Sequence, residues 1–321
     1  MATLTGIVDL FKKQERIGQL GKEERMDGKK VLITGASSGL GLATAKEMAK
    51  LGAEVIMAVR SGIPAKGEEV KKASGSDKVH MNHVDLSDFD SIKKLVEEVK
   101  EQYGSIDVLI CNAGMVAGKA RKTKQGLEEM FMVNYLSSYY LIRLMLVNKL
   151  LNESGSSLPR IIIVNSESHR DPKAFDWEKF GKFEPYAMGK TVQLYGYYKL
   201  LLATFASELS RRLNPDKTSV SVFALCPGPV NSNIAREAPS LFKPLLSVVF
   251  GIFFRSPLKA SEPVVYLSTS KEEENKSFDY LFLMQRKSID EKAADEVNGK
   301  KLWELSEALI REVGVEISAD N

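Results

Sequence analysis

The chain is poor in the residues from which disulfide frameworks and metal centres are built: it has two cysteines and three histidines in 321 residues. Cys111 and Cys226 both sit inside apolar runs, as expected of buried free thiols in a reducing compartment such as the cytoplasm. His80, His83 and His169 leave zinc almost no ligands, so no metal site is expected. An excess of one charge is also missing. Lys and Arg total 45 against 42 Asp and Glu, a formal net charge of +3. The charges are dispersed rather than blocked, which argues against nucleic acid as a partner. The apolar run 241–254 is fourteen residues long and contains Lys243 and Pro244, too short to cross a bilayer. Residues 1–27 carry a small apolar patch (Ile7, Val8, Leu10, Phe11) followed by Lys22, Glu23, Glu24 and Arg25. They have no signal-peptide cleavage pattern. An amphipathic arm lying on the surface of the domain fits this segment, and peripheral membrane contact is the alternative.

What the chain does have is a hydrophobic content of 44%, enough for a full-sized core. The run Val31-Leu32-Ile33-Thr34-Gly35-Ala36-Ser37-Ser38-Gly39-Leu40-Gly41 goes from strand through a glycine-rich turn into a helical pattern. Glycines at three spaced positions allow a sharp turn, close approach of backbone to a pyrophosphate and tight helix–strand packing. The helix N-terminus that follows offers free N–H groups to the phosphates. Downstream, strands expected at 54–59, 79–84, 107–111, 160–164, 219–224 and 280–284 alternate with helices at 64–73, 88–103, 126–151, 190–213 and 258–270. Alternation of this kind, with nearly continuous apolar strands, predicts a parallel sheet covered on both faces. The expectation is a single α/β, doubly wound Rossmann domain over 28–321, with about seven parallel strands.

Ligands of such sheets bind beyond the carboxyl ends of the strands. The residues there are the glycine turn, Arg60, Asp85, Asn112, Asn165 with Ser166, and Pro227-Gly228. The second strand ends in Ala58-Val59-Arg60-Ser61, with no carboxylate for a ribose 2′-hydroxyl. A guanidinium there suits a 2′-phosphate, hence NADP(H), with Ser37 and Ser38 as further donors. Tyr195 and Lys199 are four residues apart and share a helical face. An ammonium near a phenol is expected to lower its pKa toward general acid–base duty. Tyr186 and Lys190 have the same spacing, but Pro185 precedes Tyr186, whereas Lys199 continues into the helical pattern 200–213. Tyr195 is therefore the preferred of the two.

With the glycine turn, Asp85-Leu86, Asn112-Ala113-Gly114, Val133-Asn134, Asn165-Ser166-Glu167-Ser168-His169, Tyr195/Lys199 and Pro227-Gly228 in place, the chain resembles the short-chain dehydrogenase/reductase family from about 28 to 310. The likeness is to the branch of retinol dehydrogenases and the WW-domain-containing oxidoreductase. Gly35 to Lys46 also looks like light-dependent protochlorophyllide reductase. The resemblance implies Tyr195 as proton donor or acceptor, Lys199 as its pKa modifier and a ribose ligand, and Ser166 as the group binding the substrate oxygen, with Ser168 as the alternative serine. It implies Asn134 as holder of a relay water. The implied cofactor surface comprises Gly35, Ser37, Ser38, Gly39, Leu40, Gly41, Arg60, Asp85, Leu86, Asn112, Ala113, Gly114, Tyr195, Lys199, Pro227, Gly228, Val230 and Ser232.

Two departures from the family pattern are Tyr198, where a serine is usual, and Tyr135-Leu136-Ser137-Ser138 after the helical asparagine. Both are expected to reshape the walls of the nicotinamide and substrate sites. The run 241–254 follows the strand-six loop, where the family covers its substrate. It suits an apolar lid, with a buried core helix as the bland alternative. The resulting expectation is an NADP(H)-dependent enzyme interconverting a carbonyl and an alcohol on an apolar small molecule such as a retinoid, steroid or lipid. A protochlorophyllide-type double-bond reductase and a non-catalytic NADP(H)-binding sensor stand as rivals. A homodimer is left open.

Overall fold

The computed structural model describes residues 17–21, 23–153, 155, 157–230 and 255–318. Within them one sheet contains β1 (Lys30–Thr34), β2 (Glu54–Val59), β3 (Val79–His83), β4 (Val108–Cys111), β5 (Arg160–Val164), β6 (Ser221–Cys226), β7 (Phe278–Phe282) and β8 (Gln285–Arg286). Their order across the sheet is β3-β2-β1-β4-β5-β6-β7-β8. The first seven pair in parallel, and the two-residue β8 adds an antiparallel edge against β7. The expected parallel set is therefore present, and β8 is the addition. The order reverses between β1 and β4, where the doubly wound fold opens its ligand crevice. Strand six starts two residues later than expected and runs to Cys226, while β7 starts at Phe278 and ends at Phe282.

Helices cover both faces. On one lie α1 (Gly39–Lys50), α2 (Ala65–Ser74) and α6 (Pro257–Thr269); on the other lie α3 (Phe89–Tyr103), α4 (Glu129–Val147), α5 (Met188–Leu213) and α8 (Glu296–Glu312), which the short α7 (Glu291–Ala294) precedes. The apolar stripe Phe89, Ile92, Leu95, Val96 and Val99 of α3 is fully buried, as its 3.6-residue period demands. The alternation within β1 divides it between the cores: Leu32 belongs to one, Val31 and Ile33 to the other. α4 is long and apolar enough to cross a membrane, yet most of it is buried inside the fold. It begins at Glu129 rather than 126, ends at Val147, and contains a π-type turn over Met132–Leu136. Such turns recur at functional sites.

Two further contacts tie the outermost described segments to the rest of the fold. Ile17 and Met26 are buried, and the Ile17 N–H donates to the Met284 carbonyl at 3.0 Å. At the C-terminus, α8 buries Leu302, Ser306, Leu309 and Ile310 against α5 and α4. Its Ser306 hydroxyl lies 2.6 Å from the Tyr135 hydroxyl.

Candidate active site

The glycine turn after β1 is shaped by contacts that tolerate no side chain. Gly35 and Gly39 have positive φ, 67° and 52°, which L side chains adopt at a cost. A Cβ on Gly41 would lie 2.5 Å from both the Gly35 carbonyl oxygen and the Asn112 amide nitrogen, and one on Gly35 would lie 3.0 Å from Ala113 Cα. The turn is thus pressed against Asn112-Ala113-Gly114 at the end of β4. The joint is pinned by Thr34, which the sequence reading passed over as a site residue. Its hydroxyl accepts from the N–H groups of Asn112 and Ala113 at 3.1 and 3.2 Å, and Asn112 Nδ2 donates to the Thr34 carbonyl at 2.9 Å.

The first turn of α1 holds no acidic residue, and Ser38 at its N-cap makes no side-chain capping bond. Ser38 is exposed, and a helix N-terminus with no acidic residue in its first turn fits a pyrophosphate. Beside it lies the end of β2. Gly62 brings this loop to Ser37, since a Cβ on Gly62 would lie 3.7 Å from Ser37 Cβ. Arg60 is exposed there and has no ion pair among the described residues. Lys66 is instead engaged by Glu69 at 2.6 Å. The Asp85 carboxylate closes its own turn, accepting from the Ser87 N–H and hydroxyl at 2.9 and 2.7 Å, with Leu86 packed against the core.

Asn134, in the π-type turn of α4, is buried. Its Oδ1 accepts from Met115 N–H at 3.0 Å, while Nδ2 donates to the carbonyls of Met115 and Met130 at 2.8 and 3.0 Å. The amide thus clamps the loop after Gly114, and both of its donor hydrogens are already in use. Gly114 fits between this amide and Lys199: a Cβ there would be 3.0 Å from Asn134 Oδ1 and 3.8 Å from Lys199 Nζ.

Ser166 follows β5, and α5 brings Tyr195 and Lys199 to it. The approach is close because position 196 is glycine; a Cβ there would lie 2.9 Å from the Ser168 carbonyl oxygen. Ser168 Oγ lies 2.7 Å from Ser166 Oγ, so both serines share the pocket, and the Ser166 hydroxyl is near enough to the Tyr195 phenol to influence its titration. The Lys199 ammonium is buried, donates to the Val164 carbonyl at 3.1 Å and sits 5.7 Å from the centre of the Tyr195 ring. Burial brings its pKa down to about 8. The phenol differs from the expectation. Burial, aided by the nearby Cys226, holds Tyr195 above its ordinary pKa, opposed by the Ser166 hydroxyl. Desolvation outweighs the lowering expected from the lysine.

Three other tyrosines are placed by one buried carboxylate and the C-terminal helix. Tyr186 precedes α5, so it does not share a helical face with Lys190; its hydroxyl donates to Glu128 Oε1 at 3.1 Å. Tyr198 packs edge-on against Phe131, near enough to Glu128 for the carboxylate to raise its pKa further. Tyr135 is fully buried among Phe131, Phe180 and Phe205. Both are buried on the core side, Tyr135 by its bond to the Ser306 hydroxyl and Tyr198 by packing on Phe131, rather than standing as the site wall expected of them.

β6 ends at Cys226; Pro227 follows, then Gly228 with φ 77°, where a Cβ would strike the Leu283 side chain. Val230 pairs with Arg255 as an isolated parallel bridge. Ser232 and the run 241–254 lie outside the described residues.

A strand order that reverses beside a glycine cradle, with Ser, Tyr and Lys brought to the strand ends, is the arrangement of a Rossmann-fold oxidoreductase. The profile of the short chain dehydrogenase family matches residues 29–176. Human retinol dehydrogenase 14 is 34% identical over 313 residues, covering 92% of this chain and 90% of the relative. The WW domain-containing oxidoreductase of Gallus gallus is 32% identical over 298 residues, covering 89% and 69%. A crystal structure of an uncharacterized protein from Mycobacterium Paratuberculosis superposes with a TM-score of 0.70 at 26% identity, covering 94% of this chain and 99% of that one. The chain belongs to the short-chain dehydrogenase/reductase family, in its retinol dehydrogenase branch.

Proposed function

We propose that this protein is an NADP(H)-dependent reductase or dehydrogenase that interconverts a carbonyl and an alcohol on an apolar small molecule of the retinoid class. The observation that carries the reading is the convergence of Ser166, Tyr195 and Lys199 beside the glycine cradle. Bound NADP(H) supplies or accepts the hydride. The Ser166 hydroxyl holds the substrate oxygen by a hydrogen bond, and the Tyr195 hydroxyl exchanges its proton with that oxygen. A phenol held above its ordinary pKa remains protonated at neutral pH, ready to donate to a carbonyl being reduced. Lys199, anchored on Val164, offers its remaining N–H groups to the ribose hydroxyls. Asn134 acts by holding the Met115 backbone, and a relay water would meet its backbone or the open lone pair of Oδ1. The pyrophosphate is assigned to Gly35, Ser38, Gly39, Leu40 and Gly41, the adenosine 2′-phosphate to Arg60 and Ser37, and the adenine and nicotinamide sides to Asp85-Leu86, Asn112-Ala113-Gly114 and Pro227-Gly228-Val230.

The apolar substrate class is supported by the retinol dehydrogenase relatives. The cytoplasm suits the two unpaired buried thiols, Cys111 and Cys226. Peripheral membrane contact and a homodimer are associations to be read by vesicle flotation and sedimentation. The sensor reading loses its motive, since Tyr135 and Tyr198 are turned into the core. The test is NADPH oxidation in the dark with retinaldehyde, steroid and aliphatic carbonyl compounds. Retinaldehyde is expected to be reduced fastest. No oxidation with any carbonyl would overturn the reading, and light-dependent reduction of a tetrapyrrole would replace it with the double-bond reductase.

A further inference from the structure

The turn that carries Ser166 is fastened from the far end of the chain. Ser166 caps a short 3-10 turn, Glu167–Arg170. Three of the four side chains in that turn reach residues 280–290. Glu167 accepts from the Tyr280 hydroxyl at 2.6 Å and from Lys287, and Arg170 Nη2 donates to the Ser288 carbonyl at 2.6 Å. Ser168 alone turns to the Ser166 hydroxyl.

Of the three side chains that reach residues 280–290, His169 is the one that also bonds the Ser166 backbone. Its ring is wholly buried and stands edge-on to Tyr280, with centroids 5.3 Å apart. Nδ1 lies 2.7 Å from the carbonyl oxygen of Ser166, and the Asp290 N–H points at Nε2 from 3.3 Å. A backbone N–H can only donate, so Nε2 is the acceptor and Nδ1 carries the proton. The imidazole is thereby a neutral two-ended strut between the catalytic-site turn and the segment before α7. Burial, which lowers its pKa to about 4, keeps it in that form.

We infer that His169 is a positioning residue whose Nδ1–H holds the Ser166 backbone so that the hydroxyl meets Tyr195 and the substrate oxygen. The inference rests on the reading of Ser166 as the oxygen-binding group. Its reach follows from geometry: a misplacement of about 1 Å at a reacting centre can cost about a hundredfold in rate. No direct contact between His169 and substrate is needed.

Two isosteric variants separate the two ends of the strut. Asn places Nδ2 at the imidazole Nδ1 position and keeps the donor to Ser166; Gln places its amide at the Nε2 position and keeps an acceptor for Asp290. Each variant loses one hydrogen bond, so a merely structural role predicts equal effects on activity. With NADPH and the carbonyl that the wild type reduces fastest, His169→Gln is expected to lower kcat about ten- to a hundredfold with both KM values within about twofold. His169→Asn should keep kcat within about threefold, with a similar Tm. Equal losses in the two variants, or none in His169→Gln, would overturn the inference, provided that Ser166→Ala abolishes turnover. Retained turnover in Ser166→Ala, or no turnover by the wild type, would instead overturn the underlying reading. Should either variant fail to fold, imidazole 15N shifts of the wild type decide: the Nδ1–H tautomer is expected, and an Nε2–H tautomer contradicts the strut.

Discussion

The Tyr186 hydroxyl donates to Glu128, a buried carboxylate whose other oxygen accepts from the Phe131 N–H at 2.8 Å. The tyrosine of the first Tyr–Lys pair is thus committed to the core, which favours the second pair, Tyr195 and Lys199, as the one proposed for chemistry. Tyr186→Phe removes a donor from a buried acceptor, which costs about 1–3 kcal/mol. Denaturant unfolding should show that loss while turnover stays near wild type. Loss of turnover at unchanged stability would reassign Tyr186.

Two glycines in α5 give a matched comparison. A Cβ on Gly189 meets nothing within 4 Å, whereas one on Gly196 lies 2.9 Å from the Ser168 carbonyl oxygen. Gly189→Ala should leave turnover unchanged and raise Tm slightly, since Ala is favoured in a helix by about 0.5–1 kcal/mol. Gly196→Ala should push α5 from the serine turn and lower kcat at least about tenfold. Equal kcat in the two variants would show that the close approach is not needed.

Burial of neutral His169 makes stability depend on acidity. Its pKa is about 4 in the fold against an ordinary 6.5, so between those values the unfolded chain binds a proton that the folded chain refuses. Stability must therefore fall as pH drops from about 6.5 toward about 4. Burial dominates; Arg170 adds to the lowering, while the Ser166 carbonyl, Glu167 and Asp290 oppose it. The Glu167 carboxyl contributes a loss of the same sign. Burial would raise its pKa, but Lys287, Tyr280 and Arg170 outweigh that and hold it below the ordinary value. Chemical unfolding across this range should show a shallower acid slope for His169→Gln than for wild type, and an unchanged slope would refute the assignment.

Arg60 sets the expected cofactor preference. Titration of wild type should favour NADPH over NADH by roughly ten- to a hundredfold, as charge-assisted bonds to a 2′-phosphate suggest. Arg60→Ala should weaken NADPH much more than NADH. Preference for NADH in the wild type would remove the assignment.

The parts of the candidate site that are local in sequence are legible from the sequence alone. Gly35, Gly39 and Gly41 mark a strand-to-helix turn, and Tyr195 with Lys199 shows one face of a helix whose pattern continues unbroken. What could not be read depends on distant partners. Thr34, Glu128 and His169 acquire meaning only through Asn112, Tyr186 and Asp290, which are 78, 58 and 121 residues away. The burial of Tyr135 and Tyr198 is likewise hidden, because a helix pattern does not say which distant neighbour a phenol meets; Ser306 bonds the first and Phe131 packs on the second. The π-type turn at Asn134 and the two-residue β8 carry too little periodicity to register in a sequence pattern.

The central claim is that Tyr195 moves the proton. Single-turnover reduction of the wild type's fastest carbonyl substrate, started from the NADPH complex, measures it directly when Tyr195→Phe and Tyr186→Phe are run beside wild type. The account predicts that Tyr195→Phe binds NADPH normally and loses turnover by at least about a hundredfold, within the range of general acid–base contributions, while Tyr186→Phe turns over at close to the wild-type rate. Near wild-type turnover by Tyr195→Phe with NADPH bound, or loss confined to Tyr186→Phe, would contradict it.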